Sequence, residues 1–161
     1  MYTSENYNNG ETEEDATGLR FLLDGNNAVD QMDAVKMGNP GVNLAVVNGN
    51  TPLAIETRAL PENEENIQFF INNLTTESYT LRFHMEHMPE NIKVLLHDAY
   101  TEEQFEIETG INTLDFSSDE NIPNSISPLR FSLVFEQTSL NVSDFETFTS
   151  VEIYPNPTKS I

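Results

Sequence analysis

The residues best suited to bind a metal are the chain's three histidines, His84, His87 and His97. On a strand, side chains alternate between the two faces, so His84 and His87, three positions apart, point in opposite directions. They are therefore poor joint ligands, and we interpret all three as ordinary strand-surface side chains. The chain has no cysteine, which excludes a thiolate nucleophile, a disulfide and a cysteine-based zinc site.

A second cluster of potential ligands consists of the oxygen-bearing residues Asp24, Asn26, Asp30 and Asp33. Calcium prefers carboxylate and carbonyl oxygens from such short segments. The spacing does not complete an EF-hand loop, however, and aspartate and asparagine also favour tight turns because their side chains bond to nearby backbone. We predict a turn-rich loop and no cofactor, with calcium binding as the open alternative.

Closely spaced carboxylates at Glu102, Glu103, Glu106 and Glu108 suggest the two-carboxylate chemistry of glycoside hydrolysis. With 27 acidic residues in the chain, such neighbours are expected by chance. The sequence contains no Gly-x-Ser-x-Gly nucleophile turn and no glycine-rich phosphate loop after a strand. We therefore predict that the chain is not an enzyme and assign no catalytic residue.

Charge limits the possible partners. The chain has 161 residues and a formal net charge of -20, which would repel phosphate groups. Nucleic acid and anionic membrane surfaces are accordingly excluded as expected partners. No apolar run approaches the roughly 20 residues needed to cross a bilayer as a helix.

Short apolar runs separated by turn residues dominate the middle of the chain. Residues 79–88 show the cleanest alternation, and 129–135 repeat it. About ten such runs at intervals of roughly 8–12 residues predict an all-β fold, an antiparallel β-sandwich of jelly-roll or immunoglobulin-like type. The runs are 19–23, 32–37, 42–47, 53–56, 67–71, 79–88, 92–97, 105–108, 111–116 and 129–135.

Two further expectations concern neighbouring strands. We expect residues 92–97 to pair with 79–88 across the turn at Pro89, Glu90 and Asn91. Arg82 and Arg130 lie in otherwise acidic or apolar strands. Each is expected to form an ion pair with a carboxylate on a neighbouring strand, because an arginine in such a setting needs a counter-charge.

Composition divides the chain into four parts. Residues 1–17 are polar and acidic without a basic residue, and are expected to be a mobile segment or linker. Residues 18–137 form the predicted sandwich, and 138–150 are interpreted as a linker. Residues 151–161 begin like a strand, because valine, isoleucine and tyrosine favour extended backbone, and then reach two prolines.

The last part carries a specific motif, the consecutive residues Ile153, Tyr154, Pro155, Asn156, Pro157 and Thr158. It resembles the start of the carboxy-terminal sorting domain of type IX secretion cargo in the Bacteroidetes. Such domains commonly open with this turn and continue for several more strands, so we expect the chain to be a fragment. The resemblance covers about ten residues and identifies these six as the sorting-signal turn.

Segments 30–37, 78–81, 96–98 and 129–135 resemble the β-sandwich that often precedes the sorting domain in flavobacterial surface proteins. The two resemblances imply a secreted or cell-surface location. They imply as partners the type IX outer-membrane translocon and the shuttle protein that receives the sorting domain. The expected function is a non-catalytic spacer or cargo module of a larger adhesin-like protein.

The alternative is an accessory module of a secreted enzyme that binds a carbohydrate or a protein. Sugar binding requires exposed aromatic rings for stacking. The chain has no tryptophan and five tyrosines, which limits this alternative.

Overall fold

The computed structural model describes residues 1–138, which form eleven strands and one short helix. The elements, in chain order, are β1 (Tyr2–Thr3), α1 (Ser4–Asn9), β2 (Gly18–Leu22), β3 (Ala34–Val35), β4 (Asn43–Asn48), β5 (Thr51–Ala59), β6 (Asn66–Asn72), β7 (Glu77–Met85), β8 (Ile92–Asp98), β9 (Glu103–Ile107), β10 (Gly110–Ser118) and β11 (Phe131–Gln137). The linker expected at 138–150, except for Thr138, and the sorting-signal turn at 153–158 lie outside the described residues.

The strands form the two sheets of a β-sandwich, as the sequence predicted. The smaller sheet has the order β1-β7-β10. The larger sheet has the order β2-β5-β4-β6-β11-β8-β9, and β3 adds to β5. One pairing departs from the expected antiparallel arrangement, because β2 runs parallel to β5.

The core lies between the two sheets and is built from alternate residues of their strands. Tyr79 and Leu81 of β7 face Phe131 and Phe135 of β11, and all four are buried. Phe116 of β10 links the layers, with its ring centroid 5.5 Å from Tyr79 and 4.8 Å from Phe131. The alternation that predicted these strands therefore also identified their core-facing residues.

The expected pairing of 79–88 with 92–97 is wrong. β7 pairs with β10 and β1, whereas β8 pairs with β9 and β11 in the other sheet. The connection after β7 crosses between the sheets, and His87 adopts a positive φ of 57° within it. Because the two strands lie in opposite layers, each can turn its apolar face towards the shared core.

Residues 1–17, which were expected to be a mobile segment or linker, contain β1 and α1. Met1 is buried, and Tyr2 and Thr3 pair with β7. The Thr3 hydroxyl then caps α1 by accepting from the Asn6 backbone N–H at 3.2 Å. Acidic composition suggested mobility, but an available strand edge and a capped helix give this segment its own hydrogen bonds.

The larger sheet changes its pairing at the middle of β5. β4 pairs with β5 as far as Leu53, and β2 replaces it on the same side of β5 from Ile55 onward. The Thr17 hydroxyl donates to the carbonyls of Leu53 and Ala54 at this changeover, each at 3.1 Å. Asp15 accepts from the Leu44 N–H at 2.7 Å. The segment leading into β2 therefore separates β5 from β4.

Candidate functional site

An apolar cleft of about 710 Å³ opens between β2 and β7. Its two walls are formed by residues of β2 and by residues 81–89, which comprise the second half of β7 and the following loop. Its floor belongs to the larger sheet. The floor residues are Leu44, Phe69, Val94, Ile107, Leu133 and Phe135. We call this feature the cleft.

The cleft exists because two strand edges lack partners among residues 1–138. β10 pairs with β7 along its whole length, from Glu77 to Met85. On the opposite side, β1 pairs only with Tyr79 and Thr80. Residues 82–85 therefore form what we call the open edge of β7. β2 is the terminal strand of the larger sheet and contributes the facing edge.

The cleft lining is mostly apolar and only half-buried. Leu19, Phe21, Phe83, Met85 and Met88 pack against the core and remain partly accessible. The Phe21 ring lies edge-on to Phe135 of the floor, with a centroid distance of 5.5 Å. These contacts pack the apolar wall residues against the buried residues of the floor, so the shape of the cleft is fixed by the packing of the sandwich.

Two basic residues, Arg20 and Arg82, line the cleft of this otherwise acidic molecule. Of the seven basic residues, Lys159 lies outside the described part. Arg20 and Arg82 line the cleft, are exposed and make no ion pair with any described residue. The other four are paired, as Lys36–Asp15, Arg58–Glu56 and Arg58–Glu65, Lys93–Glu106 and Arg130–Asp98.

The prediction of ion pairs is thus confirmed for Arg130, whereas Arg82 forms none with the residues that the structure describes. Arg130 donates to both carboxylate oxygens of Asp98 on neighbouring β8, at 2.8 and 2.7 Å. Burial would raise the pKa of Asp98, but the hydrogen bonds from Arg130 and the Tyr100 N–H outweigh it and hold that pKa below its usual value. This pair is fully buried and its role is structural.

Two of the histidines lie at the cleft. His84 Nε2 is 3.2 Å from Glu86 Oε1, and both side chains are largely exposed. His87 is in the loop after β7, and His97 lies on β8, away from the cleft lining. No group of three or more metal-binding side chains converges within residues 1–138.

The oxygen-rich loop is held together by its own hydrogen bonds, as the turn interpretation predicts. Asp33 accepts from the backbone N–H groups of Thr57 and Asp30, at 2.7 and 2.8 Å. Asp30 accepts from the Met32 N–H at 2.7 Å. The side-chain Oδ1 of Asn26 accepts from the Ala28 backbone N–H at 3.0 Å. These bonds fold the loop and attach it to β5.

The glutamates suggested for glycoside hydrolysis lie on or beside β9. Glu102 occupies the turn before that strand with a positive φ of 61°. Glu103, Glu106 and Glu108 are exposed, and Glu106 pairs with Lys93 at 3.0 Å. None of the four lines the cleft.

Sequence reasoning missed a buried acidic residue, Glu56 of β5. Its Oε1 accepts from Asn48 at 2.8 Å and from Arg58 at 3.2 Å, and its Oε2 has no partner among the described residues. Burial raises the pKa of Glu56, although the Arg58 charge acts against it. Arg58 also donates to Glu65. No sequence signal separates this glutamate from the chain's many exposed ones.

No family model, no curated protein and no solved structure matches this chain. Within residues 1–138, no helix has the length and apolar character required to span a bilayer. Function must therefore be inferred from the sequence motif at 153–158 and from the cleft.

Proposed function

We propose that this chain is a non-catalytic β-sandwich module at the carboxy-terminal end of a larger exported, adhesin-like surface protein. It acts as a spacer or cargo domain ahead of a type IX sorting signal. The observation that carries this proposal is the order of its parts: a folded sandwich whose last strand within residues 1–138 ends at Gln137, a polar stretch of sequence, and then the six residues from Ile153 to Thr158. The proposed location is the cell surface or the medium.

The position of β11 suits a spacer. This strand precedes the sorting motif and pairs with β6 on one side and β8 on the other. A chain that leaves the domain from a central strand is anchored by two hydrogen-bonded ladders. The proposed partners are the type IX outer-membrane translocon and its sorting-domain shuttle, which would engage the residues after this anchor.

A reporter fusion tests the proposal. A fluorescent reporter is joined to this chain extended by a complete sorting domain, and is expressed in a host that has type IX secretion. We expect the reporter at the cell surface. The matched control replaces Pro155 and Pro157 with alanine, and a second control uses a host without the translocon; both should retain the reporter in the periplasm. Periplasmic retention of a folded parental fusion would contradict the proposal.

A second candidate function, a protein-binding accessory module, is favoured by the cleft. Its aromatic lining is phenylalanine (Phe21, Phe69, Phe83 and Phe135), and its apolar character suits peptide side chains better than sugar hydroxyls. Parallel screening of the full chain on a glycan array and an array of extended peptides tests this. We expect binding to peptides alone, and binding to glycans alone would contradict it.

A further inference from the structure

We propose that the cleft receives one extended strand from a partner protein. That strand pairs with the open edge of β7, places its apolar side chains in the cleft, and carries acidic residues that meet Arg20 and Arg82. This inference rests on the second candidate function and goes further, because it commits to the conformation, polarity and charge of the bound segment.

The first reason to expect a bound strand is the unpaired backbone beside the cleft. An unpaired strand edge presents N–H and C=O groups that can pair with an added strand, and many peptide-binding domains use this mode. In residues 1–138 the open edge of β7 and the outer edge of β2 both border the cleft. A single strand entering between them would continue the smaller sheet over the floor of the cleft.

The second reason to expect a bound strand is the apolar character of the side chains that line the cleft. On an added strand every second residue would face the floor, where Phe69, Leu133 and Phe135 lie. The walls at Phe21 and Phe83 are partly accessible, so contact with apolar side chains would remove them from water. The segment that fits alternates apolar residues, facing the floor, with polar residues facing solvent.

Charge selects among such segments. The chain as a whole repels acidic peptides, because its net charge is -20. Arg20 and Arg82, however, lie at the cleft without ion-pair partners among the described residues. The lining thus holds two arginines and one carboxylate, Glu86, so its charge balance is opposite in sign to that of the whole chain. A strand with acidic ends should bind better than a basic one, although the net charge alone would give the opposite order.

The probe is a fluorescein-labelled synthetic peptide of about nine residues, a common strand length. Valine and isoleucine alternate with threonine in its middle, and each end carries a glutamate. Binding to the full chain is measured by fluorescence anisotropy at physiological salt. We expect saturable binding, about ten-fold weaker binding when lysine replaces glutamate, and no binding when N-methyl groups on alternate residues remove the donors of one edge.

Two variants test whether the peptide binds at the cleft. Arg20→Gln combined with Arg82→Gln changes exposed side chains outside any described ion pair, so the fold should persist. It should weaken binding of the glutamate peptide about ten-fold and leave that of the lysine peptide unchanged or stronger. Lys93→Gln is the matched control, because it removes one positive charge away from the cleft, and it should not alter binding. When the glutamate peptide binds, the amide hydrogens of residues 82–85 that point away from β10 should gain exchange protection.

Several outcomes would overturn the inference. No saturable binding of the glutamate peptide, or equal binding of its N-methylated form, would exclude strand pairing. Protection, in the chain without peptide, of those amides of residues 82–85 that point away from β10 would identify another occupant: a second copy if it depends on protein concentration, and the chain's own residues 139–161 if it does not. Displacement by dodecanoate at lower concentration than by unlabelled peptide would assign the cleft to a fatty acid. The reporter fusion tests the export proposal independently of all these results.

Discussion

Asp98 and Arg130 form a two-bond ion pair in the interior, enclosed by the rings of Tyr100, Phe116 and Phe131 at 4.8 to 4.9 Å from the guanidinium carbon. Asp98→Asn leaves the buried arginine without a counter-charge. We expect it to lower the free energy of unfolding by about 3–5 kcal/mol, measured by urea denaturation at pH 7. The control is Lys93→Gln, whose exposed pair should contribute less than about 1 kcal/mol. Similar losses in the two variants would contradict a structural role for the buried pair.

The same pair predicts a pH dependence. Because the pKa of Asp98 lies below its ordinary value of 3.8 in the folded protein, the pair contributes fully above that value. Its contribution is lost as the pH falls through the lower folded-state pKa. Below pH 4 the parent should therefore lose stability more steeply than Asp98→Asn, and their unfolding free energies should converge. Parallel curves would indicate that Asp98 is not the titrating group.

The pKa of Glu56 is shifted in the opposite direction from that of Asp98. Its pKa is raised above its ordinary value of 4.5 by burial, so the ionised form costs stability at neutral pH and the cost disappears as the pH falls through the folded-state pKa. Glu56→Gln keeps an oxygen for Asn48 and removes the buried charge. We expect a gain in unfolding free energy at pH 7 that shrinks towards pH 4.5. The exposed control Glu103→Gln should show no such trend, and a pH-independent loss in Glu56→Gln would contradict the prediction.

At the residue scale, the sequence predicted only those features that local context determines. Arg130 directly precedes the apolar strand β11, so its need for a carboxylate was predictable. Arg82 has the same kind of context, but its direct partner on β10 is Thr113, and β1 does not reach it on the other side. The burial of Glu56 depends on how β2 and β3 pack on β5, which a single sequence does not specify.

At the scale of elements, Gly25 shows how closely the turn after β2 approaches β5. A Cβ atom at Gly25 would lie 2.3 Å from the carbonyl carbon of Arg58, and backbone cannot move aside easily. We expect Gly25→Ala to lower the unfolding free energy by about 1–3 kcal/mol. Gly18→Ala is the matched control, because its nearest atom is a side-chain carbon of Ile55 at 3.8 Å. Equal stability of the two variants, measured by chemical denaturation, would show that the turn can relax.

Strand positions were largely predictable, whereas strand partners were not. Alternation identifies a strand and its buried face, which is why residues 79–85 and 131–135 were assigned correctly. Pairing depends on which sheet each strand joins, and the apolar face of β8 is compatible with either layer. The cleft results from such pairings, since β1 covers only part of β7, so it could not be predicted from the sequence.

At the scale of the whole molecule, electrostatic repulsion works against folding. The chain has 27 acidic and 7 basic residues, and four of the basic residues are already used in ion pairs within residues 1–138. Most carboxylates therefore repel one another across the surface. The all-β class could be predicted despite this charge, because most acidic side chains of residues 1–138, with Glu56 and Asp98 as exceptions, are exposed and leave the apolar alternation intact.

This repulsion predicts that salt stabilises the fold. Raising sodium chloride from about 0.01 M to 0.5 M shortens the screening length from roughly 30 Å to under 8 Å, which weakens long-range repulsion more than the short buried pairs. A gain of about 1 kcal/mol would raise Tm by roughly 3 °C for a chain of this size. Thermal melts in magnesium and calcium chloride at matched ionic strength separate screening from binding. Equal Tm values in the two would support screening alone, whereas a higher Tm in calcium would indicate a specific site. A fall in Tm with sodium chloride would mean that surface ion pairs, not repulsion, dominate the electrostatics of this sandwich.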